Sequence, residues 1–158
     1  MAPSAPTVDT IAHDPAALAA VFDAVAASGR GWVNVVPELP EGTQVPATPN
    51  AFAVFNKRGP VVPLGTYVPP HTGRNGTVPS ELGIQHGTSI KGTEALADSD
   101  AAVPADWRIL ADHPRKGTSL QPPADTTTLR QATWLLAALQ RLCLPPHTGR
   151  FIVARYEG

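Results

Sequence analysis

The sequence predicts an α+β fold in which two main helices pack on a mostly antiparallel sheet, all within a single domain. Two segments, near residues 14–28 and 126–142, have the apolar spacing of amphipathic helices. Short runs rich in β-branched and aromatic residues lie between and after them, separated by turns that contain Gly, Pro and Asn. Because regular strand–helix–strand alternation is missing, a doubly wound nucleotide-binding fold is disfavoured.

The first helix is predicted from Asp14 to Ser28. Asp14 is a suitable N-cap, Pro15 fits the first helical position, and Gly29 is a suitable left-handed C-terminal residue. A stripe at helical spacing predicts the buried face: Leu18, Val21, Phe22 and Val25. Residues 1–12 are expected to form a flexible N-terminal arm, and residues 13–158 the single α+β domain.

The second helix is predicted from Thr126 to Leu142, with Asp125 as its N-cap. Leucines and alanines repeat along one face, and two prolines at positions 145 and 146 end the helix because proline cannot continue its hydrogen-bond ladder. Cys143, beside this apolar face, is interpreted as a small core residue and not as a nucleophile.

Strands are predicted for the remaining apolar runs, with hairpin turns at residues 56–60 and 113–117. Loops are predicted for residues 37–50 and 69–80, and a short helix for 93–98. The strand candidates are residues 32–36, 51–56, 61–68, 82–90, 107–111, 117–121 and 151–156.

The composition excludes several classes of protein. A net charge of −1 disfavours nucleic acid as a partner, because phosphate binding needs clustered Lys and Arg. The single cysteine excludes an internal disulfide, and the chain has no apolar run long enough to span a membrane. Cytoplasmic localisation is therefore expected, with no membrane partner. The widely spaced histidines predict no metal site, and the missing phosphate-binding and dinucleotide-binding motifs predict no cofactor.

An identical hexapeptide, Pro-Pro-His-Thr-Gly-Arg, occurs at residues 69–74 and 145–150. One interpretation is shared turn chemistry, in which the prolines stop an element and the glycine supplies a positive φ. The other is a pair of anion sites made of backbone N–H groups and guanidinium forks, which could hold one ligand if both lay at the same end of the sheet. The ligand-binding candidates are His71, Thr72, Gly73, Arg74, His147, Thr148, Gly149 and Arg150.

The catalytic candidates are His86, Asp112 and His113. An ordinary histidine titrates near neutral pH, so His86, within an apolar strand and followed by glycine, could act as a general acid or base. A dyad would require His86 to meet Asp112 across strands, or His113 to meet another acid such as Glu81. The alternatives are a hydrogen-bonded structural histidine at position 86 and solvated turn charges at 112 and 113.

Two functions remain open from the sequence. The first is a small binding or accessory protein that recognises a protein partner or an anionic small molecule, and that could also form a homodimer. The second is a small cofactor-independent enzyme that uses His86 on a carboxylated or phosphorylated metabolite. Trp134, beside the leucine stripe of the second helix, is either a core residue or an exposed anchor for a partner.

Overall fold

The computed structural model describes residues 5–43 and 61–158. A seven-stranded sheet forms the centre, with all neighbouring strands antiparallel in the order β1-β9-β2-β3-β6-β8-β7, and β4 and β5 form a separate hairpin. The elements in chain order are β1 (Thr7–Ile11), α1 (Pro15–Ser28), β2 (Trp32–Pro37), β3 (Leu64–Val68), β4 (His71–Gly73), β5 (Gly76–Val78), β6 (Glu81–Gln85), α2 (Gly92–Leu96), β7 (Arg108–His113), β8 (Gly117–Gln121), α3 (Thr128–Leu142) and β9 (Phe151–Tyr156). This confirms the predicted α+β class.

Helix α1 begins and ends where its capping residues predict. The Asp14 carboxylate accepts hydrogen bonds from the N–H groups of Ala16 and Ala17, and Gly29 adopts a left-handed φ of 73°. The Phe22 ring, on the buried face, stacks on Tyr67 of β3 with centroids 4.0 Å apart. Helix α1 therefore packs directly against the sheet.

Helix α3 begins two residues later than predicted, and its N-cap is Thr127 instead of Asp125. The Thr127 hydroxyl accepts a hydrogen bond from the N–H of Arg130 at 3.1 Å. Both residue types cap helices well, but the helical backbone starts at Thr128, so Thr127 and not Asp125 occupies the capping position. The apolar face of α3 packs on α1 and on the central strands through completely buried leucines, namely Leu135, Leu136 and Leu139.

The segment expected to be a flexible arm contains the edge strand β1. Its residues Thr7–Ile11 pair with β9 from Thr7↔Arg155 to Ile11↔Phe151. The side chains of the first four residues are exposed, so the strand buries too little to show alternating hydrophobicity in the sequence. Main-chain pairing to β9 holds this strand, and the signal that the sequence does carry is its β-branched residues: Thr7, Val8, Thr10 and Ile11.

Most of the strand predictions within the described residues are confirmed, several with shifted boundaries, and β1, β4 and β5 are strands that were not predicted. Strand β9 matches its predicted range and lies second from the edge, while β6 ends at Gln85 although the prediction extends to residue 90. Residues 69–80, predicted as a loop, contain the β4–β5 hairpin. The predicted strand at 51–56 and the turn at 56–60 lie outside the described residues.

The three helices and the sheet enclose the core on one side. Alternate residues of the central strands, Val33, Val35, Tyr67, Leu82 and Leu120, are buried there. On the opposite side of the sheet, no helix covers the strands within residues 5–43 and 61–158. None of the helices there is long and apolar enough to cross a membrane.

Candidate functional site

His86 lies just beyond the end of β6 and is completely buried. Its Nδ1 atom is hydrogen-bonded to the Thr88 hydroxyl at 2.9 Å. Its Nε2 atom is buried, and no group within residues 5–43 and 61–158 forms a hydrogen bond with it. Burial lowers the pKa of the imidazole, and the Asp112 carboxylate raises it by a smaller amount. The histidine is therefore neutral at pH 7.

Asp112 belongs to the same partly buried polar cluster but does not bond to His86. The carboxylate accepts hydrogen bonds from the hydroxyl groups of Thr93 and Thr118, the latter at 3.0 Å. The Thr93 backbone N–H also points at it, at 3.4 Å. Strand pairing explains the proximity, because Asp112 and Thr118 are register partners of β7 and β8, and Ile84 of β6 pairs with Thr118. We call His86, Thr88, Thr93, Asp112 and Thr118 the His86 cluster.

Helix α2 closes the His86 cluster through a glycine. A Cβ atom added to Gly92 would lie 3.3 Å from Nε2 of His86 and would collide with the Thr118 hydroxyl. The absence of a side chain thus lets α2 lie close over the histidine. Because this contact and the neighbouring strands exclude solvent from His86, a substrate could not reach its imidazole without movement of α2.

His113 lies outside this cluster. Its Nδ1 atom accepts hydrogen bonds from the N–H groups of Arg115 and Lys116, at 3.0 and 3.2 Å, within the predicted β7–β8 turn. Glu81 is the first residue of β6. His113 pairs with Gly117 of β8, which lies beside the last residues of β6, at the opposite end of that strand. The structure thus brings His86 and Asp112 near each other and keeps His113 and Glu81 apart.

The two hexapeptides lie at opposite ends of the sheet. The first copy follows Val68, the last residue of β3. Because Val33 of β2 pairs with both Tyr67 and Arg155, the C-terminal ends of β3 and β9 lie at the same end of the sheet. The second copy precedes Phe151, which starts β9 at the other end. Five strand steps separate the two ends, a distance of about 17 Å. Arg74 and Arg150 therefore cannot hold one small ligand together.

In the second hexapeptide, the N–H groups proposed for an anion already have protein acceptors. The Thr148 N–H donates to the Glu38 carbonyl oxygen at 2.9 Å, and the Gly149 N–H donates to Nδ1 of His147 at 3.1 Å. The Arg150 N–H donates to the Thr148 hydroxyl at 3.1 Å. Together with Thr148 Oγ1, which donates to a Glu38 carboxylate oxygen at 3.1 Å, these bonds attach the loop to the end of β2.

The same six residues take a different conformation in the first copy. His71, Thr72 and Gly73 form β4 and pair with β5, and Arg74 lies exposed at the hairpin tip. Gly149 has a φ of 87°, whereas Gly73 is part of a strand. Neither a common turn nor a common anion site describes both copies, because the contacts around each sequence set its backbone.

A larger cleft lies along the outer side of α3, and we call it the α3 groove. It has a volume of about 910 Å³ and runs between α3 and residues 99–104, the segment that follows α2. Its apolar floor includes Ala101, Trp134 and Ala137. Trp134 is only 6% exposed and donates its indole N–H to the Ala101 carbonyl oxygen at 2.9 Å. It is therefore part of the floor and not a protruding anchor for a protein partner.

Three basic residues and one acidic residue line the α3 groove. Arg130 and Arg141 of α3 and His13 line it, with Asp100 as the acidic member. Arg130 is already paired with Asp106 through two hydrogen bonds of 3.1 and 3.0 Å. Within residues 5–43 and 61–158, Arg141 and His13 form no salt bridge. An anion entering the groove would thus meet the unpaired guanidinium of Arg141 near the C-terminal end of α3.

Sequence reasoning did not find this groove. Its walls come from the start of α1, the segment after α2 and the outer face of α3, which are distant along the chain. One signal was available: Arg130, Trp134, Ala137 and Arg141 share one helix face because of their spacing. That spacing could not show which segment would lie opposite. No metal-binding cluster of His, Cys, Asp and Glu occurs in the part of the chain that the structure describes.

Comparisons with known proteins add no assignment. No family model matches the chain, and no match is found among curated proteins or among solved structures. The function has to be argued from the geometry of the chain itself.

Proposed function

We propose that the protein binds a small amphipathic anion in the α3 groove: a molecule with an apolar body and one carboxylate, phosphate or sulfonate group. The observation that carries this proposal is the apolar floor of the groove next to unpaired basic side chains. The volume of about 910 Å³ is typical of small-molecule sites, which combine an apolar lining with a few polar groups.

The positions of the two arginines of α3 predict how the ligand is oriented along the groove. Arg141 attracts the anionic group, because the guanidinium of Arg130 at the other end is already bonded to Asp106, and His13 also lines the groove. Arg130 and Arg141 are eleven residues apart on α3, so the groove extends about 16 Å along the helix. The apolar body then lies along Ala137 and Trp134. A saturated carboxylate of about ten carbons would fill such a length.

Catalysis by His86 has less support than binding. Its imidazole is completely buried, and the oxygens of Asp112 already accept hydrogen bonds from Thr93 and Thr118. A general base must approach within hydrogen-bond distance of the proton that it removes. The cluster fits the interpretation of a hydrogen-bonded structural histidine better.

Isothermal titration calorimetry with decanoate, below its micelle concentration, tests the proposal. Wild type is expected to bind decanoate, while decanol, which has no charge, binds more weakly. Arg141→Ala should reduce the affinity about tenfold, the effect of losing one charge-assisted hydrogen bond. Ala102→Trp, at an exposed position of the groove wall, should block binding without a change in the core.

Arg115→Ala is the matched control, because Arg115 is an exposed arginine of the β7–β8 turn outside the groove. Its affinity for decanoate should equal that of wild type. No binding by wild type, or equal binding by wild type and Ala102→Trp, contradicts the proposal.

A further inference from the structure

The His86 cluster holds a titratable group that the proposed binding function does not use. Nδ1 of His86 is bonded to Thr88, while the buried Nε2 has no acceptor among the residues that the structure describes. A neutral imidazole can leave one ring nitrogen unprotonated, but an imidazolium carries N–H donors on both nitrogens. Protonation would therefore place a positive charge and an unsatisfied donor in a closed space, which is unfavourable.

Each element packed around His86 contributes identified groups. Helix α2 contributes Gly92 and Thr93, β8 contributes Thr118, and β7 contributes Asp112. Among the described residues, Asp112 is the charged group that acts on His86. Its oxygens accept hydrogen bonds from Thr93 and Thr118 and none from His86, so Nε2 can donate to this carboxylate only after the cluster rearranges.

We propose that His86 is a proton-sensitive latch for α2. Neutral His86 allows Gly92 to pack over its ring and Thr93 to bond to Asp112. Protonated His86 requires an acceptor for Nε2, which water or the Asp112 carboxylate can supply only when α2 moves away from β7 and β8. Helix α2 has just five residues, and the buried Leu96 anchors its C-terminal end, so the movement concerns mainly the N-terminal end at Gly92 and Thr93.

The direction of the pH dependence follows from burial. Burial lowers the pKa of His86 in the closed form, and Asp112 offsets part of this effect. The open form, with a hydrated imidazole, has the ordinary value of about 6.5 and binds the proton more tightly. The closed form is therefore favoured above pH ~6.5, and opening increases as the pH falls below that value towards the lower pKa of the closed form.

The latch also controls the α3 groove, a consequence that rests on the proposed function. Ser99, three residues beyond the end of α2, donates its N–H and hydroxyl to the Leu96 carbonyl oxygen at 3.1 and 2.8 Å. Ser99 and Ala101 line the groove, and Leu96 is 1% exposed. Movement of α2 would therefore displace one wall of the groove, and the affinity for an amphipathic anion would fall in acid.

Hydrogen exchange measured by mass spectrometry between about pH 7.5 and pH 5 tests the latch without any ligand. After correction for intrinsic exchange, protection of residues 92–98 should decrease by up to about tenfold for each pH unit below 6.5. His86→Gln, which cannot titrate, should remove this dependence. His113→Gln is the matched control, because His113 lies in the adjacent turn outside the cluster, and it should behave like wild type.

A second measurement, made on wild type, tests the proposal even if His86→Gln fails to fold. The ring proton signals of His86 in wild type, followed by nuclear magnetic resonance, should shift over the same pH range as the loss of protection in α2. Unchanged protection of α2 down to pH 5, or loss of protection without a shift of the His86 signals, overturns the proposal. Absence of decanoate binding at every pH contradicts only the groove function, because the exchange experiment contains no ligand.

Discussion

The indole N–H of Trp134 donates a hydrogen bond to the backbone carbonyl oxygen of Ala101 at 2.9 Å. This bond joins the middle of α3 to the segment after α2, and both partners are buried. Trp107 packs edge-on against the same indole, with ring centroids 5.5 Å apart. Two contacts of Trp134 thus stabilise the floor of the α3 groove: the hydrogen bond to Ala101 and the packing against Trp107.

Trp134→Phe should destabilise the protein by about 1–3 kcal/mol, because it leaves the buried Ala101 carbonyl oxygen without its donor. Urea unfolding followed by circular dichroism measures the change. Trp32→Phe is the control, since Trp32 is 39% exposed and lies on the side of the sheet without helices. Equal stability of the two variants would show that the bond to Ala101 contributes nothing.

Gly65 and Gly83 occupy central strands and differ in the space around them. A Cβ atom at Gly65 would lie 2.9 Å from a methyl carbon of Leu135, whereas at Gly83 the nearest atoms are 3.9 Å away. Gly65→Ala should therefore cost about 1–3 kcal/mol through overpacking against α3. Gly83→Ala should be neutral or stabilising by up to about 1 kcal/mol, because alanine is less flexible than glycine in the unfolded chain. Urea midpoints in the opposite order would contradict this account of the packing.

Two residues before α3, Asp125 and Thr127, are of types that cap helices, and only Thr127 occupies the capping position. Thr127→Ala should cost about 1 kcal/mol, because the Thr127 hydroxyl accepts the hydrogen bond from the Arg130 N–H. Asp125→Ala should change the stability by less than about 0.5 kcal/mol, as expected for a surface position without a capping bond. Thermal and urea unfolding of both variants measure the difference. A larger loss in Asp125→Ala would return the N-cap to the position predicted from the sequence.

Tyr67 makes the protein sensitive to alkali. Burial raises the pKa of Tyr67 to about 12, and the Asp23 carboxylate adds to the rise. The unfolded chain, with a tyrosine pKa of about 10, loses the proton first. Stability therefore decreases as the pH rises from about 10 to about 12. In Tyr156→Phe, which leaves Tyr67 as the remaining tyrosine, the tyrosinate absorbance should appear late and together with unfolding; a reversible titration near pH 10 in the folded protein would contradict this.

The helices were predictable because their signals are local. Asp14, Pro15 and Gly29 mark the ends of α1, and the spacing of Leu18, Phe22 and Val25 marks its buried face. Strand β9 was predictable from a short run of apolar residues between turn residues. In contrast, β1 has mostly exposed side chains and is held by main-chain bonds to β9, so its β-branched residues show no alternation of apolar and polar positions that would have predicted a strand.

The candidate sites show the same division. Residue type identified His86 and Asp112 as candidates, but only strand register placed both beneath α2. Register also separated the two hexapeptides, although their sequences are identical. Gly92 and Thr93 were not predicted as part of the site, because neither residue type indicates a functional role unless its contacts with His86 and Asp112 are known.

By itself, the sequence determined the α+β class, the two long helices and most strands of the sheet, because capping, helical spacing and turn residues act over a few neighbouring positions. Only the tertiary structure decided the strand order, the conformation of each hexapeptide, the burial of His86 and the walls of the α3 groove. The physical reason is that each of these depends on hydrogen bonds and packing between residues far apart in the chain, and such contacts are not encoded by residue spacing.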